Sequence, residues 1–169
     1  GKIGVDGALY KSMEFVGEGV QALSVFDRLT IANMAIEAGA KNGIFEVDEQ
    51  TLAYVNERCD RAYTVYKADE DAVYDETYEI DLSEIRPMIA MPFHPSCAYT
   101  IEEVNKNLDD VLTDAEKRAK VSFGDKVDFN LHNKIIDGKL YVDQGIIAGC
   151  AGGGFENICA AADILRGKY

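Results

Sequence analysis

Apolar and polar positions follow two spacings along the chain, one typical of helices and one of strands. Residues 25–38 form a largely apolar stretch behind Ser24 and Asp27, which make a capping-box pair, and Gly39 follows where helices commonly end. This pattern predicts a helix over 25–38. Because helical and extended patterns alternate along the rest of the chain, we expect a layered α/β architecture.

The other elements are predicted from the same signals. Strands are expected at 44–47, 77–82, 88–91 and 144–148. Helices are expected at 8–15, after Asp48 and at 155–166. Capping pairs at Thr100 and Thr113 predict further helix starts, and this helical stretch is expected to reach Lys120. The charged helix ending at Lys120 is expected to be exposed. Asp137 and Gly138 predict a two-residue hairpin turn, since both positions need positive φ.

Prolines near Phe93 indicate a domain boundary. The expected domains are 1–92, a layered α/β/α domain with a mixed sheet, and 93–169. The second holds a connection, an insertion or a divergent connection near 105–139, and the start of a second α/β domain.

Composition narrows the possible partners. The chain has 169 residues, 47% of them hydrophobic, which is enough to bury a core in one domain or slightly more. A formal net charge of -13 disfavours binding to nucleic acid or to anionic membranes. No apolar run reaches the roughly 20 residues that span a bilayer, and no secretory signal is seen, so a cytoplasmic location is expected.

Asn33 and Glu37 are the first candidate site residues. They lie four positions apart on the predicted helix, whose other positions are mostly apolar, so the helix is expected to be largely buried. A carboxylate on such a helix, near the end where the helix dipole disfavours negative charge, needs a cation, a partner or a polar cavity. The alternatives are a face that simply reaches solvent, or a carboxylate that moves protons beside Asn33.

Cys150 is the second candidate. It follows an apolar run and precedes three glycines and a predicted helix, a setting that favours a thiolate or another anion. The alternatives are a small buried hydrophobic residue, or a phosphate-binding loop over 149–154, although that loop lacks the Lys-Ser/Thr of a P-loop.

The remaining cysteines and the histidines have plainer interpretations. None of the cysteines shows CxxC spacing, so reduced thiols are expected, and three of them are interpreted as buried hydrophobic residues. These are Cys59, Cys97 and Cys159. His94 and His132 are expected to lie on the surface rather than to bind a metal.

Taken together, these stretches resemble the aconitase and isopropylmalate dehydratase large-subunit family. The likeness is dense over 1–51, including ANMAIEAGA at 32–40, continues through 68–96, and resumes in VDQGIIAGCAGGGFENICAAADIL at 142–165. The resemblance implies that Glu37 is a carboxylate near the labile iron of a 4Fe-4S cluster, with Asn33 as its polar neighbour. It implies that Cys150 is one of three cluster cysteines.

The resemblance also implies a function for a longer protein. The expected activity is a hydro-lyase reaction on a hydroxy di- or tricarboxylic acid, completed by the remaining aconitase domains or a small swivel subunit. The family's Gly-Ser-Cys-Thr-Asn is replaced by Ala148 to Gly152, and its CxxC is absent, so the chain is expected to be an inactive internal fragment. The alternatives are a non-catalytic binding or assembly module of this fold and a phosphate-binding α/β domain.

Overall fold

A computed structural model describes residues 2–168. Its strands are β1 Ser12–Phe15, β2 Asn42–Phe45, β3 Met88–Ala90, β4 Ala98–Thr100, β5 Ile135–Ile136 and β6 Lys139–Leu140. Its α-helices are α1 Glu18–Gln21, α2 Val25–Met34, α3 Glu49–Asn56, α4 Ile101–Lys106, α5 Leu108–Phe123, α6 Gly149–Gly152 and α7 Phe155–Leu165. Short 3-10 turns lie at Ala35–Ala38, Leu82–Glu84, Gly124–Lys126 and His132–Lys134.

The chain divides into two compact units, each built from separate segments. The α2 unit comprises 6–84 and 147–168, and the α5 unit comprises 2–5 and 85–146. Both units take residues from either side of Phe93. The division of the chain at Phe93 therefore stays a prediction about the domains of the longer protein.

The predicted helix over 25–38 is confirmed in the α2 unit. The Ser24 side chain accepts a hydrogen bond from the Asp27 N–H and the Asp27 carboxylate accepts one from the Ser24 N–H, so the capping box is complete. The helix tightens into the 3-10 turn Ala35–Ala38 and ends at Gly39, whose φ of 81° places it in the left-handed region. Sequence signals at both ends of this element thus match its observed limits.

β1 and β2 form a parallel pair in register from Ser12 opposite Asn42 to Phe15 opposite Phe45, where the two aromatic rings stack. The helix predicted at 8–15 is therefore wrong. Ser12–Phe15 form a strand because they pair with β2, and residues 5–10 form turns. The strand predicted at 44–47 is present two positions earlier than expected, and Asp48 caps α3 as predicted.

The strand predicted at 77–82 is not formed. Residues 77–81 pair with no strand, and the Tyr78 hydroxyl is instead bonded to the Glu76 carboxylate. Glu76 in turn bonds the Lys11 ammonium at 2.5 Å. Side-chain contacts therefore tie this exposed segment to the unit without a backbone ladder.

The α5 unit contains the apolar cluster of the described chain. Met91, Val104, Val111 and Leu112 are buried together, and Leu112 has no exposed surface. β3 pairs antiparallel with β4, and the capping box predicted at Thr100 and Glu103 is confirmed at the start of α4.

Two expectations about α5 are wrong. Its charged residues cover only one face, while Val111, Leu112, Ala115 and Ala119 are buried on the other, so the helix is not simply exposed. Thr113 begins no helix, because α5 already starts at Leu108 and runs through it. The apolar spacing at i, i+1, i+4 and i+8 is the signal for this buried face.

The predicted hairpin is confirmed between β5 and β6, with φ of 51° at Asp137 and 73° at Gly138. The strand predicted at 144–148 is not formed, since the segment has no pairing partner, whereas the helix predicted at 155–166 is confirmed as α7.

Across residues 2–168 the sheets are three separate strand pairs, one parallel and two antiparallel. The chain is thus of mixed α and β content with small sheets. Within this described part, no helix is both long enough and apolar enough to cross a membrane.

Candidate functional site

Helix α2 carries the first candidate residues, and a close backbone contact sets its distance from β2. A Cβ added at Gly43 of β2 would lie 3.0 Å from both the Cα and the carbonyl oxygen of Ala32. A side chain at this position would force the backbone of α2 to shift, so glycine suits this approach. The glycine therefore holds the sheet directly against the turn of α2 that precedes Asn33.

Arg28 fixes the other end of α2. It is the only buried residue of α2, with 4% exposure, among the residues that the structure describes. Its guanidinium donates to the Val20 carbonyl at 3.0 Å and the Leu23 carbonyl at 3.2 Å, and it pairs with the Asp48 carboxylate at 2.8 Å. One side chain thus joins α1, α2 and the cap of α3.

The electrostatics of this contact favour the ionised carboxylate. The hydrogen bond from Arg28 and then the backbone N–H of Thr51 hold the pKa of Asp48 well below its usual range. Asp48 also accepts a bond from the Thr51 hydroxyl at 3.1 Å. A buried guanidinium needs such a partner, since an unpaired buried charge is costly.

Asn33 and Glu37 are both exposed, contrary to the expectation that their helix is largely buried. Apolar neighbours are exposed too, with Leu29 at 50% and Ile36 at 64%. Glu37 lies in the 3-10 turn after α2, so the two side chains lack regular α-helical i, i+4 spacing. No hydrogen bond or ion pair joins the Glu37 carboxylate to another residue within 2–168, which leaves it open to an external group.

Cys150 lies in the same unit and is exposed. It sits in the single helical turn α6, which packs against α2. Gly154, after this turn, lies beside the Phe26 ring of α2, since an added Cβ would be 3.5 Å from it. The structure thus brings the turn that carries Cys150 against the helix that carries Asn33.

The cysteine turn does not by itself fit a 4Fe-4S cluster. Within the described residues, no group of three or more His, Cys, Asp or Glu side chains could hold a metal ion. A four-iron cluster needs several cysteine ligands, and this turn offers one exposed thiol. The chain can supply one such ligand, and the others would have to come from elsewhere.

Two surface cavities in the described part of the chain lie away from these residues. One, of about 260 Å³, is lined by residues such as Leu52, Val55 and Cys59, and the other, of about 450 Å³, lies between Phe15 and Lys67. Neither is lined by Asn33, Glu37 or Cys150. Asn33, Glu37 and Cys150 are instead exposed on the surface of their unit.

All four cysteines are within the described part of the chain and all are free. Cys59 and Cys97 are half-buried, but Cys159 is exposed, so its interpretation as a buried residue is wrong. Its helix α7 has no buried position and cannot bury a thiol.

The sequence did not predict the roles of two charged or polar residues, Arg28 and His132. Arg28 gave no signal, because arginine is common on helices and its charged partner, Asp48, lies far along the chain. His132 was expected on the surface but is half-buried against carboxylates of α5, Asp109 and Glu116. The seven-residue spacing of those carboxylates, which places them on one helix face, was the available signal.

Comparison with known proteins gives a match along the whole chain. The model of the aconitase family (aconitate hydratase) matches residues 1–169. The chain is 47% identical over 168 residues to the 3-isopropylmalate dehydratase large subunit of Caldicellulosiruptor saccharolyticus and 48% identical over 168 residues to that of Clostridium kluyveri. It is 43% identical over 169 residues to the 2,3-dimethylmalate dehydratase large subunit of Eubacterium barkeri.

These alignments include 99% to 100% of this chain. The chain spans about a third of the length of each relative, 32% for the first two and 33% for the third.

Proposed function

Because the chain belongs to the aconitase family, we propose that it is the part of a dehydratase that supplies one proton-transfer carboxylate and one cluster cysteine. The complete protein would add and remove water on a hydroxy di- or tricarboxylic acid. The observation that carries this proposal is the packing of α6, which bears Cys150, against α2, which bears Asn33, in a chain alignable end to end with dehydratase large subunits.

Dehydration of a hydroxy acid needs a base for the carbon-bound proton and an acid for the departing hydroxide. We assign the second task to Glu37. Its carboxyl group is exposed and unengaged by other described residues, so in its protonated form it can approach a substrate oxygen, give its proton to the departing hydroxide and become a carboxylate. The Asn33 amide, on the preceding turn, would hydrogen-bond to the substrate beside it, and the base would come from another part of the complete protein.

The Cys150 thiolate would be one ligand of a 4Fe-4S cluster, whose open iron supplies Lewis acidity when bound. The remaining ligands would come from the rest of the protein, which would include further aconitase domains or a small swivel subunit. The replacement of polar neighbours by Ala151 and Gly152 leaves the thiol in place but changes the groups available to a substrate. We also propose that the complete protein lies in the cytoplasm, as expected from the sequence.

The test uses the complete protein with its small subunit, purified without oxygen. Dehydration of 3-isopropylmalate, 2,3-dimethylmalate and citrate would be measured together with iron content. Cys150→Ser is expected to lose iron and activity, whereas Cys159→Ser, which changes another exposed cysteine of the same unit, should keep both.

Unchanged iron in Cys150→Ser would remove the ligand assignment. An iron-loaded protein inactive on every hydroxy acid would instead favour the non-catalytic module, and nucleotide binding at the 149–154 loop would favour the phosphate-binding domain.

A further inference from the structure

His132 is held between two carboxylates of helix α5. Its Nδ1 lies 2.8 Å from Glu116 Oε1, and its Nε2 lies 3.1 Å from Asp109 Oδ1. Each ring nitrogen therefore faces a different acceptor. A neutral imidazole has one N–H, so its second nitrogen would direct a lone pair at a carboxylate. The geometry is that of an imidazolium with a proton on both nitrogens.

The two sides of this contact differ in strength. Glu116 Oε1 also accepts the backbone N–H of Leu131 at 2.6 Å and that of His132 at 3.1 Å, and the Glu116 side chain is 25% exposed. Asp109 is 86% exposed and has no hydrogen-bond partner other than His132 among the described residues. The contact with Glu116 is thus held by three hydrogen bonds, whereas the contact with Asp109 depends on the single proton on Nε2.

The other charged groups nearby are already engaged. Lys134, in the same 3-10 turn, is held by both oxygens of Asp143 at 2.8 Å. On α5, which packs against this turn, Asp109 and Glu116 are the charged groups in contact with the ring. The protonation of the imidazole is therefore governed by these two carboxylates.

The pKa values shift in the directions that this arrangement requires. The hydrogen bond to Glu116 raises the pKa of His132 against the smaller opposing effect of burial, and Asp109 raises it further. Burial acts to raise the pKa of Glu116, but the bonds from His132 and the two backbone amides together outweigh it and lower that pKa.

We propose that His132 is a proton-operated latch that fastens the 132–134 turn to the first turn of α5 and opens on its Asp109 side when Nε2 loses its proton. The Glu116 side stays closed, because Nδ1 keeps its hydrogen and the two amides remain bonded. The opening is therefore local and reversible, and it releases the start of α5 without unfolding the turn.

The sign of the pH dependence follows from the raised pKa. The stabilisation is complete below the pKa of an unfolded histidine, about 6.5. It is lost as the pH rises through the higher value of the folded state. The latch is thus closed in weakly acidic solution and opens toward alkaline pH.

The test is a pH titration of the full chain labelled with nitrogen-15 at its two histidines, with His94→Gln assigning the rings. The spectra report both the charge and the tautomer of His132. Asp109→Asn should move the His132 midpoint to lower pH. Asp110→Asn, which removes the same charge from the same helical turn without touching the ring, should move it less than half as far.

At high pH the wild-type ring should keep the Nδ1–H tautomer, and the amides of Leu131 and His132 should stay protected from exchange. Equal shifts in the two aspartate variants, or an Nε2–H tautomer after deprotonation, would overturn the latch. Both aspartates are exposed on the first turn of α5, so neither variant should unfold the chain.

Discussion

The two compact units are stabilised in different ways. The α5 unit buries an apolar cluster around Leu112 beneath one face of a long amphipathic helix. The α2 unit buries Arg28 and small residues such as Ala35 and Ala40, while apolar side chains of its main helix stay exposed. Hydrophobic burial thus organises the α5 unit, whereas a charged hydrogen-bond centre organises the unit that carries the candidate site.

The largest effect is expected in the apolar cluster. Leu112→Ala should lower the free energy of unfolding by about 2–5 kcal/mol, because it leaves a cavity at a position with no exposed surface. Denaturant titration of the full chain measures this loss. Val121→Ala, on the same helix but 88% exposed, should cost less than about 0.5 kcal/mol. Similar losses in both variants would contradict a cluster centred on Leu112.

Removal of the charged centre should have the next largest effect. Arg28→Met should lower the free energy of unfolding by about 2–3 kcal/mol. This is less than the loss of a fully buried ion pair would cost, because the Asp48 side chain is 35% exposed. The substitution keeps an unbranched apolar stem but removes the guanidinium, which leaves the Val20 and Leu23 carbonyls without their donor. Arg58→Met, which breaks an exposed pair with Glu57, is the control and should cost only a small part of this.

The ion pair between Arg28 and Asp48 predicts that stability falls at acid pH. The lowered pKa of Asp48 means that its contribution is present above the unfolded aspartate value, near 3.9. It is lost as the pH falls through the lower value of the folded state. The difference in stability between wild type and Asp48→Asn should therefore shrink in strong acid, and a difference that stays constant with pH would show that the ion pair contributes nothing.

Helix caps should give smaller and nearly equal effects in the two units. Ser24→Ala and Thr100→Ala each remove a complete capping box and should each cost about 1 kcal/mol. Thr113→Ala is the matched control, because Thr113 lies inside α5 and caps nothing. It should change stability by less than about 0.5 kcal/mol. A cost equal to that of Thr100→Ala would mean that α5 is interrupted at Thr113.

Local sequence signals correctly predicted the elements that depend on local chemistry. The capping box at Ser24, the left-handed Gly39 and the Asp137-Gly138 turn are all where their residue types predict them. Burial was harder to predict. The helix after Ser24 has an apolar composition, yet its exposed Leu29 and Ile36 show that composition alone does not reveal what covers a face.

Pairing between distant segments was also outside the reach of local signals. Residues 12–15 form a strand only because β2 lies beside them, and 77–82 form none because no strand does. The candidate residues were found through a motif, and the packing of α6 on α2 could not be deduced from spacing. Arg28 pairs with Asp48, 20 positions away, and His132 with Glu116, 16 positions away, so the residues next to Arg28 and His132 do not predict these contacts.

The proposal that the α2 unit carries part of a dehydratase site is tested most directly by the turnover of Glu37→Gln in the complete, iron-loaded protein. We predict a kcat at least about 100-fold lower with unchanged iron content, since a positioned proton-transfer group contributes roughly 10²–10⁴-fold. Glu57→Gln, an exposed glutamate at the end of α3, should keep wild-type turnover. Wild-type turnover in Glu37→Gln with an intact cluster would contradict the assignment.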